Sequence, residues 1–98
     1  MFVTAVYMER YHLYMYRGCG FCARVQRFLQ ELGIEMPLRD ILTDHGALHE
    51  LIEGGGRQTV PCLRIEDAGD GVRWMYESAD IMRYLAETRD EAPDAARV

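Results

Sequence analysis

The sequence lacks the features that would assign it at once to a membrane, exported or nucleic-acid-binding class. No apolar run approaches the roughly 18–20 residues of a transmembrane helix, and there are no repeats or low-complexity tracts. Residues 1–8 are apolar, but they carry neither a basic n-region nor a small-residue cleavage site, so a signal peptide is not expected. The net charge of -5 provides no basic face for nucleic acid. We therefore expect a cytoplasmic protein with no membrane or nucleic-acid partner.

A framework of structural disulfides is also missing. The chain has 3 cysteines, an odd count that leaves at least one thiol unpaired. In a reducing cytoplasm, two close cysteines are more often catalytic or metal-binding than structural. The 98 residues fit one small domain, and 49% hydrophobic with 28% charged residues is an ordinary globular balance. The composition thus predicts a single small domain and leaves the cysteines as the centre of interest.

Cys19-Gly20-Phe21-Cys22 is the most informative stretch of the chain. Two thiols at this spacing can close into a small disulfide ring, and a helix N-terminus stabilises a thiolate through its dipole and free N–H groups. The pair follows an apolar, aromatic run at residues 11–16 and precedes a helical pattern. This arrangement predicts redox chemistry with Cys19 as the nucleophile. Cys22 has two interpretations, a second redox thiol or a small buried hydrophobe.

The spacing of apolar residues predicts the secondary structure. Residues 11–16 form a strand, and a helix follows that ends at Gly33. A second strand alternates to Leu38, and Thr43 or Asp44 caps a second helix that ends at the glycines 54–56. Residues 60–65 and 72–76 form a hairpin, and Ser78 is the N-cap of the last helix. The residues predicted to face the core are Cys22, Val25, Phe28, Leu29 and Leu32 in the first helix, Ile34, Met36 and Leu38 in the second strand, Leu48, Leu51 and Ile52 in the second helix, and Ile81, Met82 and Leu85 in the last helix.

These elements predict an α/β fold with a four-stranded mixed sheet flanked by three or more helices. Residues 1–10 form an extension without a clear role, residues 11–88 the domain, and residues 89–98 a flexible tail. The element order resembles the thioredoxin fold of glutaredoxins, because the cysteine pair lies at the first strand–helix junction and Thr59-Val60-Pro61 precedes the third strand. Glu77-Ser78 precedes the last helix, where ordinary glutaredoxins carry Gly-Gly. This pair resembles the glutathione S-transferase N-terminal domain instead.

The resemblance implies a glutathione-dependent thiol–disulfide oxidoreductase that reduces protein disulfides or glutathione mixed disulfides through Cys19. It also implies a cis Pro61 and a helix start that holds the γ-glutamyl end of glutathione. The glutathione-binding residues that it assigns are Arg17, Phe21, Gln58, Thr59, Val60, Pro61, Glu77, Ser78 and Asp80. For Ser78 a plain N-cap, and for Phe21 simple packing, are the alternatives. Either Arg57 or Gln58 can reach the glycyl carboxylate.

Gly20 keeps a second function open. Many active glutaredoxins have Pro at this position, and without it a dimer can hold a [2Fe–2S] cluster between two Cys19 thiolates and two glutathiones. Cluster-transfer members commonly have Ser in place of the second cysteine, so the retained Cys22 favours redox catalysis by a monomer. A third possibility is a transferase-like domain that binds glutathione without turnover, and the intact cysteine pair counts against it.

Other candidate groups are weaker. His45 and His49 lie four residues apart, but a helix and a strand separate them from the cysteine pair, so zinc is not expected. Cys62, next to Pro61, is predicted as a core residue in preference to a further redox thiol. Tyr16 stands where many glutaredoxins carry a Lys, which leaves less positive charge beside the nucleophile than in those relatives.

Overall fold

The computed structural model of the protein describes residues 10–67 and 71–91. Its strands are β1 (Arg10–Met15), β2 (Leu38–Asp40), β3 (Cys62–Asp67) and β4 (Gly71–Met75). Its helices are α1 (Gly20–Leu32), α2 (His45–Glu50) and α3 (Ser78–Glu91), and a π-helical turn at Leu51–Gly55 continues α2. The predicted order of elements is confirmed. The predicted extension lies outside the described residues except for residue 10, which begins β1.

The four strands form one mixed sheet in the order β2-β1-β3-β4. β1 pairs in parallel with β2, with Leu13 opposite Leu38, and α1 forms the crossover that a parallel pair requires. β3 runs antiparallel to both β1 and β4. The predicted thioredoxin-like architecture is therefore confirmed, and β1 carries the chain through the centre of the sheet towards Cys19.

Side chains alternate between the two faces of the sheet and build one core on each. The core on the α1 and α3 face, called here the α1–α3 core, contains Leu13, Met15, Cys22, Val25, Leu29, Leu63, Ile65, Ile81 and Leu85. The core on the other face, called the α2 core, contains Tyr14, Ile41, Ala47, Leu51 and Cys62. No helix within residues 10–67 and 71–91 is long and apolar enough to cross a membrane.

The predicted second strand begins too early in the sequence. Gly33, at φ 72°, ends α1, and the Ile34 N–H still donates to the Leu29 carbonyl at 2.9 Å. The next residues include Pro37, which has no N–H to pair. Regular pairing therefore starts only at Leu38. Ile34 and Met36 pack half-buried against the α1–α3 core without being part of the sheet.

The second helix is shorter than predicted, and a different set of its side chains faces the core. Asp44 is its N-cap, because the Asp44 Oδ1 atom accepts the Ala47 N–H at 3.1 Å. The wider π-helical turn at Leu51–Gly55 then rotates the following side chains relative to a regular helix. Ile52, predicted to face the core, is consequently exposed, whereas Ala47 is fully buried.

Three further boundaries differ by a few residues. β3 begins at Cys62 and not at residue 60, because Pro61 cannot donate to a ladder. α3 begins at Ser78, and Glu77 takes the cap position because its carbonyl accepts the Ile81 N–H at 2.9 Å. Ser78 is therefore the first helical residue and not the cap. α3 continues to residue 91, so the predicted tail begins within a helix, and residues 92–98 lie outside the described part.

Candidate active site around Cys19

A tight turn joins the end of β1 to the start of α1. The Cys19 N–H donates to the Tyr16 carbonyl at 3.3 Å, and Gly18 has φ +92°, a left-handed conformation that favours glycine. Cys19 itself keeps extended angles and is the N-cap of α1. The turn thus delivers Cys19 to the point where the sheet ends and the free N–H groups of a helix begin.

The Cys19 sulfur accepts a hydrogen bond from that helix start. Its Sγ atom lies 3.2 Å from the Cys22 backbone nitrogen, which donates. The sulfur thus lies at the N-terminal end of α1, beside a backbone N–H donor. Cys19 is partly exposed, whereas the other two cysteines are buried. The Cys19 thiol is therefore both accessible and hydrogen-bonded to the helix start.

The Cys22 thiol is in the opposite situation. Its side chain is fully buried within the α1–α3 core. Burial raises the pKa of Cys22, and its interaction with Cys19 acts in the same direction. At neutral pH Cys22 is therefore a protonated thiol behind the exposed one. This position is compatible with both interpretations of Cys22, the buried hydrophobe and the second thiol.

The Val60-Pro61 step lies beside the Cys19 turn. The bond between these residues is cis, as the resemblance predicted. In the antiparallel pair of β1 and β3, Cys62 is opposite Tyr14, and continuing this register brings residue 60 alongside residue 16. Val60 and Cys19 both pack against the α1–α3 core. The backbone before Pro61 thus borders the nucleophile on the β3 side.

The start of α3 lies against the same core. Ile81, in its first turn, is fully buried there, while Ser78 is half-buried just before it. Glu77 and Asp80 are exposed, and Asp80 pairs with Arg83 at 3.4 Å, a surface pair of little energy. The start of α3 therefore combines N–H groups that have no partner within the helix with an exposed Glu77 carboxylate.

The remaining predicted glutathione residues are spread around Cys19. Gln58 and Thr59 are exposed next to Val60. Phe21 is 60% exposed, with the Arg24 guanidinium 5.9 Å from its ring centre, so its alternative as simple packing does not apply. Arg17 lines a cleft on the other flank of Cys19, the side of β2.

Tyr76 is a residue at this site that the sequence reasoning missed. Its hydroxyl donates to the Arg57 carbonyl at 3.1 Å and accepts the Arg57 N–H at 3.3 Å. The Arg57 guanidinium stacks 4.6 Å from the ring centre. A Cβ atom at Gly55 would overlap the Tyr76 hydroxyl. Tyr76 therefore fixes the backbone just before Gln58, and the run of three glycines was the available sequence signal for this close approach.

Cys62 follows Pro61 but faces the α2 core. It is fully buried, and burial raises its pKa to about 12. An inaccessible, protonated thiol is a poor nucleophile. The core interpretation of Cys62 is therefore favoured over a further redox role.

The fold and site together define a thioredoxin-like protein, with a cysteine pair at the first helix start and a cis proline beside it. The glutaredoxin family model matches residues 12–68, more than half of the chain. The chain belongs to the glutaredoxin family. Family and fold support a thiol–disulfide oxidoreductase type of function. No curated protein sequence matches the chain.

Solved structures share the fold at low identity. A glutathione transferase homologue from Drosophila mojavensis with bound glutathione has a TM-score of 0.65 and 22% identity, over 86% of this chain and 37% of that one. The oxidised thioredoxin from Plasmodium falciparum has a TM-score of 0.54 and 14% identity, over 88% of both chains. A glutaredoxin from Brucella melitensis has a TM-score of 0.51 and 23% identity, over 80% of this chain and 78% of that one. This chain thus spans little more than a third of the transferase homologue.

Proposed function

We propose that this protein reduces disulfides at the expense of glutathione, with Cys19 as the attacking thiol. The observation that carries the proposal is the position of the Cys19 sulfur. It is partly exposed and accepts the Cys22 N–H at 3.2 Å at the start of α1, and Val60 packs against the same core as Cys19. Membership of the glutaredoxin family supports the same chemistry.

The reaction on a glutathione mixed disulfide needs one protein thiol. The Cys19 thiolate attacks the glutathione sulfur, the substrate sulfur leaves as a thiolate, and that thiolate takes up a proton. A second glutathione thiolate then attacks the Cys19-bound glutathione sulfur, which yields oxidised glutathione and restores Cys19. The mixed disulfide and one glutathione thiol thus give the substrate thiol and oxidised glutathione.

The reaction on a protein disulfide can use both cysteines. After Cys19 has joined a substrate sulfur, the Cys22 thiol loses its proton and attacks the Cys19 sulfur. This step releases the substrate and leaves a Cys19–Cys22 disulfide, which two glutathiones reduce. Because burial raises the pKa of Cys22, its deprotonation limits this route at neutral pH. We expect the two-thiol reaction to accelerate with pH more than the one-thiol reaction.

Glutathione would occupy the β3 side of Cys19. The Val60 N–H and carbonyl would pair with its cysteinyl backbone as a short added strand. The free N–H groups at the start of α3, with the Ser78 hydroxyl, suit the γ-glutamyl carboxylate. The carboxylates of Glu77 and Asp80 suit the γ-glutamyl ammonium, and Gln58 and Thr59 border the groove.

A glutathione-coupled reductase assay tests this proposal on the wild type, Cys19→Ser, Cys22→Ser and Cys62→Ala. Cys19→Ser should lose at least a hundredfold in rate on every disulfide. Cys22→Ser should keep its rate on glutathione mixed disulfides and lose rate on protein disulfides. Cys62→Ala is the matched control and should retain both. A wild type without activity above background contradicts the proposal.

Cluster binding is the second candidate, and Gly20 is the observation that keeps it open. A Cβ atom at Gly20 would meet nothing within 4 Å, so there is free space beside Cys19. A [2Fe–2S] cluster has four ligands, whereas this chain has one partly exposed thiol. Cys19 from each of two copies and two glutathiones would complete the set. Anaerobic reconstitution with glutathione should then give a coloured dimer, and Cys19→Ser should stay colourless and monomeric.

A further inference from the structure

A cleft of about 520 Å³ opens beside Cys19 on the side away from Pro61. It lies between the turn after β1, the first turns of α1 and the strand β2, and its walls include Met15 and Leu38. The sheet order β2-β1-β3-β4 puts β2 and β3 on opposite sides of β1. This cleft is therefore distinct from the groove at Val60 that we assign to glutathione, and Cys19 lies between the two.

The cleft continues along α1 into a second hollow. This hollow has a volume of about 320 Å³, shares Gln26 and Leu38 with the cleft, and reaches Met36. The walls contributed by α1 run from Ala23 to Gln30, which at ~1.5 Å per residue is about 10 Å. Three extended residues at ~3.3 Å each span the same length. The two hollows together thus have the elongated shape of a site for a polypeptide segment.

The edge of the sheet borders this groove. β2 pairs with β1 through the Pro37 carbonyl, which accepts from Leu13, and through the Ile41 N–H, which donates to Met15. Residues on a strand alternate in direction, so Leu38 turns its own N–H and carbonyl away from β1. Its side chain lines both hollows and is 49% exposed. Leu38 therefore offers two backbone hydrogen bonds and an apolar contact to an added strand.

The two ends of the groove carry opposite charges. Arg17 lies at the Cys19 end and Glu35 at the far end, and both are exposed. Neither forms an ion pair within residues 10–67 and 71–91. Asp40 is also at the Cys19 end, but its carboxylate accepts the Leu42 N–H at 2.9 Å. The groove is thus complementary to a segment with an acidic residue beside its cysteine and a basic residue three positions further along.

We propose that this groove is a substrate subsite, which binds the extended segment around the reacting cysteine of a disulfide-containing protein as an added strand on β2. The proposal rests on the function proposed above. The Cys19 thiolate attacks the sulfur of the bound segment, and the other substrate sulfur leaves as a thiolate and takes up a proton. The Cys22 thiol then loses its proton and attacks the Cys19 sulfur, which releases the substrate segment as a thiol. Two glutathiones reduce the resulting Cys19–Cys22 disulfide, which restores the protein and yields oxidised glutathione.

Two disulfides of different size test the groove. One probe is the oxidised dimer of the peptide Ala-Glu-Cys-Leu-Val-Lys-Ala, and the other is hydroxyethyl disulfide, which has no chain to bind. Gln26→Trp fills the point shared by the two hollows, and Arg27→Trp, on the neighbouring exposed position, is the matched control. Gln26→Trp should lower kcat/KM about tenfold for the peptide and less than twofold for hydroxyethyl disulfide. Arg27→Trp should change both less than twofold. A peptide with Glu and Lys exchanged should react several-fold more slowly.

Equal losses on both probes, or an unchanged peptide rate in Gln26→Trp, would overturn the subsite. Leu38→Lys provides a second test if Gln26→Trp does not give the wild-type circular dichroism spectrum, and the same peptide-selective loss is expected from it. A wild type that reduces hydroxyethyl disulfide but not the peptide overturns the subsite and leaves the proposed function intact. A wild type that reduces neither removes both.

Discussion

The Tyr76 hydroxyl lies between the N–H and the carbonyl of Arg57 and bonds to both, at 3.3 and 3.1 Å. One side chain directly after β4 thereby holds the backbone of a residue 19 positions earlier in the chain. Arg57 directly precedes Gln58, the first residue of the segment that leads to Pro61. The geometry of the proposed glutathione groove consequently depends on a residue that would not itself touch glutathione.

Tyr76→Phe should weaken glutathione binding without removing the chemistry. The change deletes both bonds to Arg57, and because the site is exposed we expect a stability loss of about 1 kcal/mol. The KM for glutathione should rise several-fold, with kcat within a factor of two. Steady-state kinetics at fixed disulfide measures this. Tyr84→Phe on α3 removes a hydroxyl that accepts a hydrogen bond from Arg73 of β4. It is the control and should leave the KM unchanged; an equal rise in KM would show that the bonds of Tyr76 to Arg57 are not the cause.

Gly55→Ala should be destabilising, and Tyr76 should be the cause. The new methyl group would overlap the Tyr76 hydroxyl, and overpacking of this kind costs about 1–3 kcal/mol. In a Tyr76→Phe background the loss should be clearly smaller, so the two changes are not additive. Urea unfolding of the four proteins measures the coupling. Gly20→Ala, where a Cβ atom would have free space, should cause no loss of stability. Strictly additive effects of Gly55→Ala and Tyr76→Phe would contradict a contact between the two residues.

Tyr14→Phe should destabilise the fold in a pH-dependent way. The buried Tyr14 hydroxyl donates to Glu50 at 2.7 Å, and this bond is the main reason why the pKa of Glu50 is lowered. We expect a loss of about 1–2 kcal/mol at pH 7 for a hydrogen bond to a half-exposed carboxylate. Because the pKa of Glu50 is lower in the folded than in the unfolded chain, its ionised carboxylate stabilises the fold at pH values above the ordinary pKa of ~4.3. This contribution is lost as the pH falls through the pKa of Glu50 in the folded protein. Urea unfolding should show a smaller difference in the free energy of unfolding between wild type and Tyr14→Phe at pH 3 than at pH 7. The same difference at both pH values would contradict Glu50 as the acceptor.

His12 should make the protein less stable as the solution becomes mildly acidic. Burial lowers its pKa, Arg64 and Arg39 add to the effect, and Glu50 and Glu66 oppose it. The unfolded chain therefore binds a proton near pH ~6.5 that the folded chain does not, so stability falls as pH drops below that value. His12→Gln should flatten the free energy of unfolding between pH 7 and pH 5.5. If the free energy of unfolding depends on pH in the same way for the wild type and His12→Gln, groups other than His12 cause that dependence.

The parts of the fold that the sequence predicted are those encoded by local pattern. The three- and four-residue spacing of Cys22, Val25 and Leu29 placed α1 correctly, and Gly33 ended it as expected. The cysteine pair and the Val60-Pro61 step are local motifs, so they could be recognised without knowledge of the packing. The order of elements then followed from periodicity and turns.

The parts that the sequence did not predict depend on distant contacts. The start of β2 is set by hydrogen bonds from Gly33 and Ile34 back to α1, which compete with strand pairing. The π-helical turn and the bonding of Tyr76 to Arg57 arise where two remote segments meet. Arg17 lies only two residues from Cys19, yet its position on the β2 side follows from the sheet order and not from this spacing.

Because the three cysteine sulfurs differ in burial, the alkylation of the reduced protein measures its unfolding. An alkylating reagent can reach Cys19 in the folded state, whereas Cys22 and Cys62 have no exposed surface. These two belong to the cores on opposite faces of the sheet. Alkylation of more than one cysteine per chain therefore measures how often the folded protein opens. The order in which Cys22 and Cys62 are alkylated shows whether the α1–α3 core and the α2 core open together or one before the other.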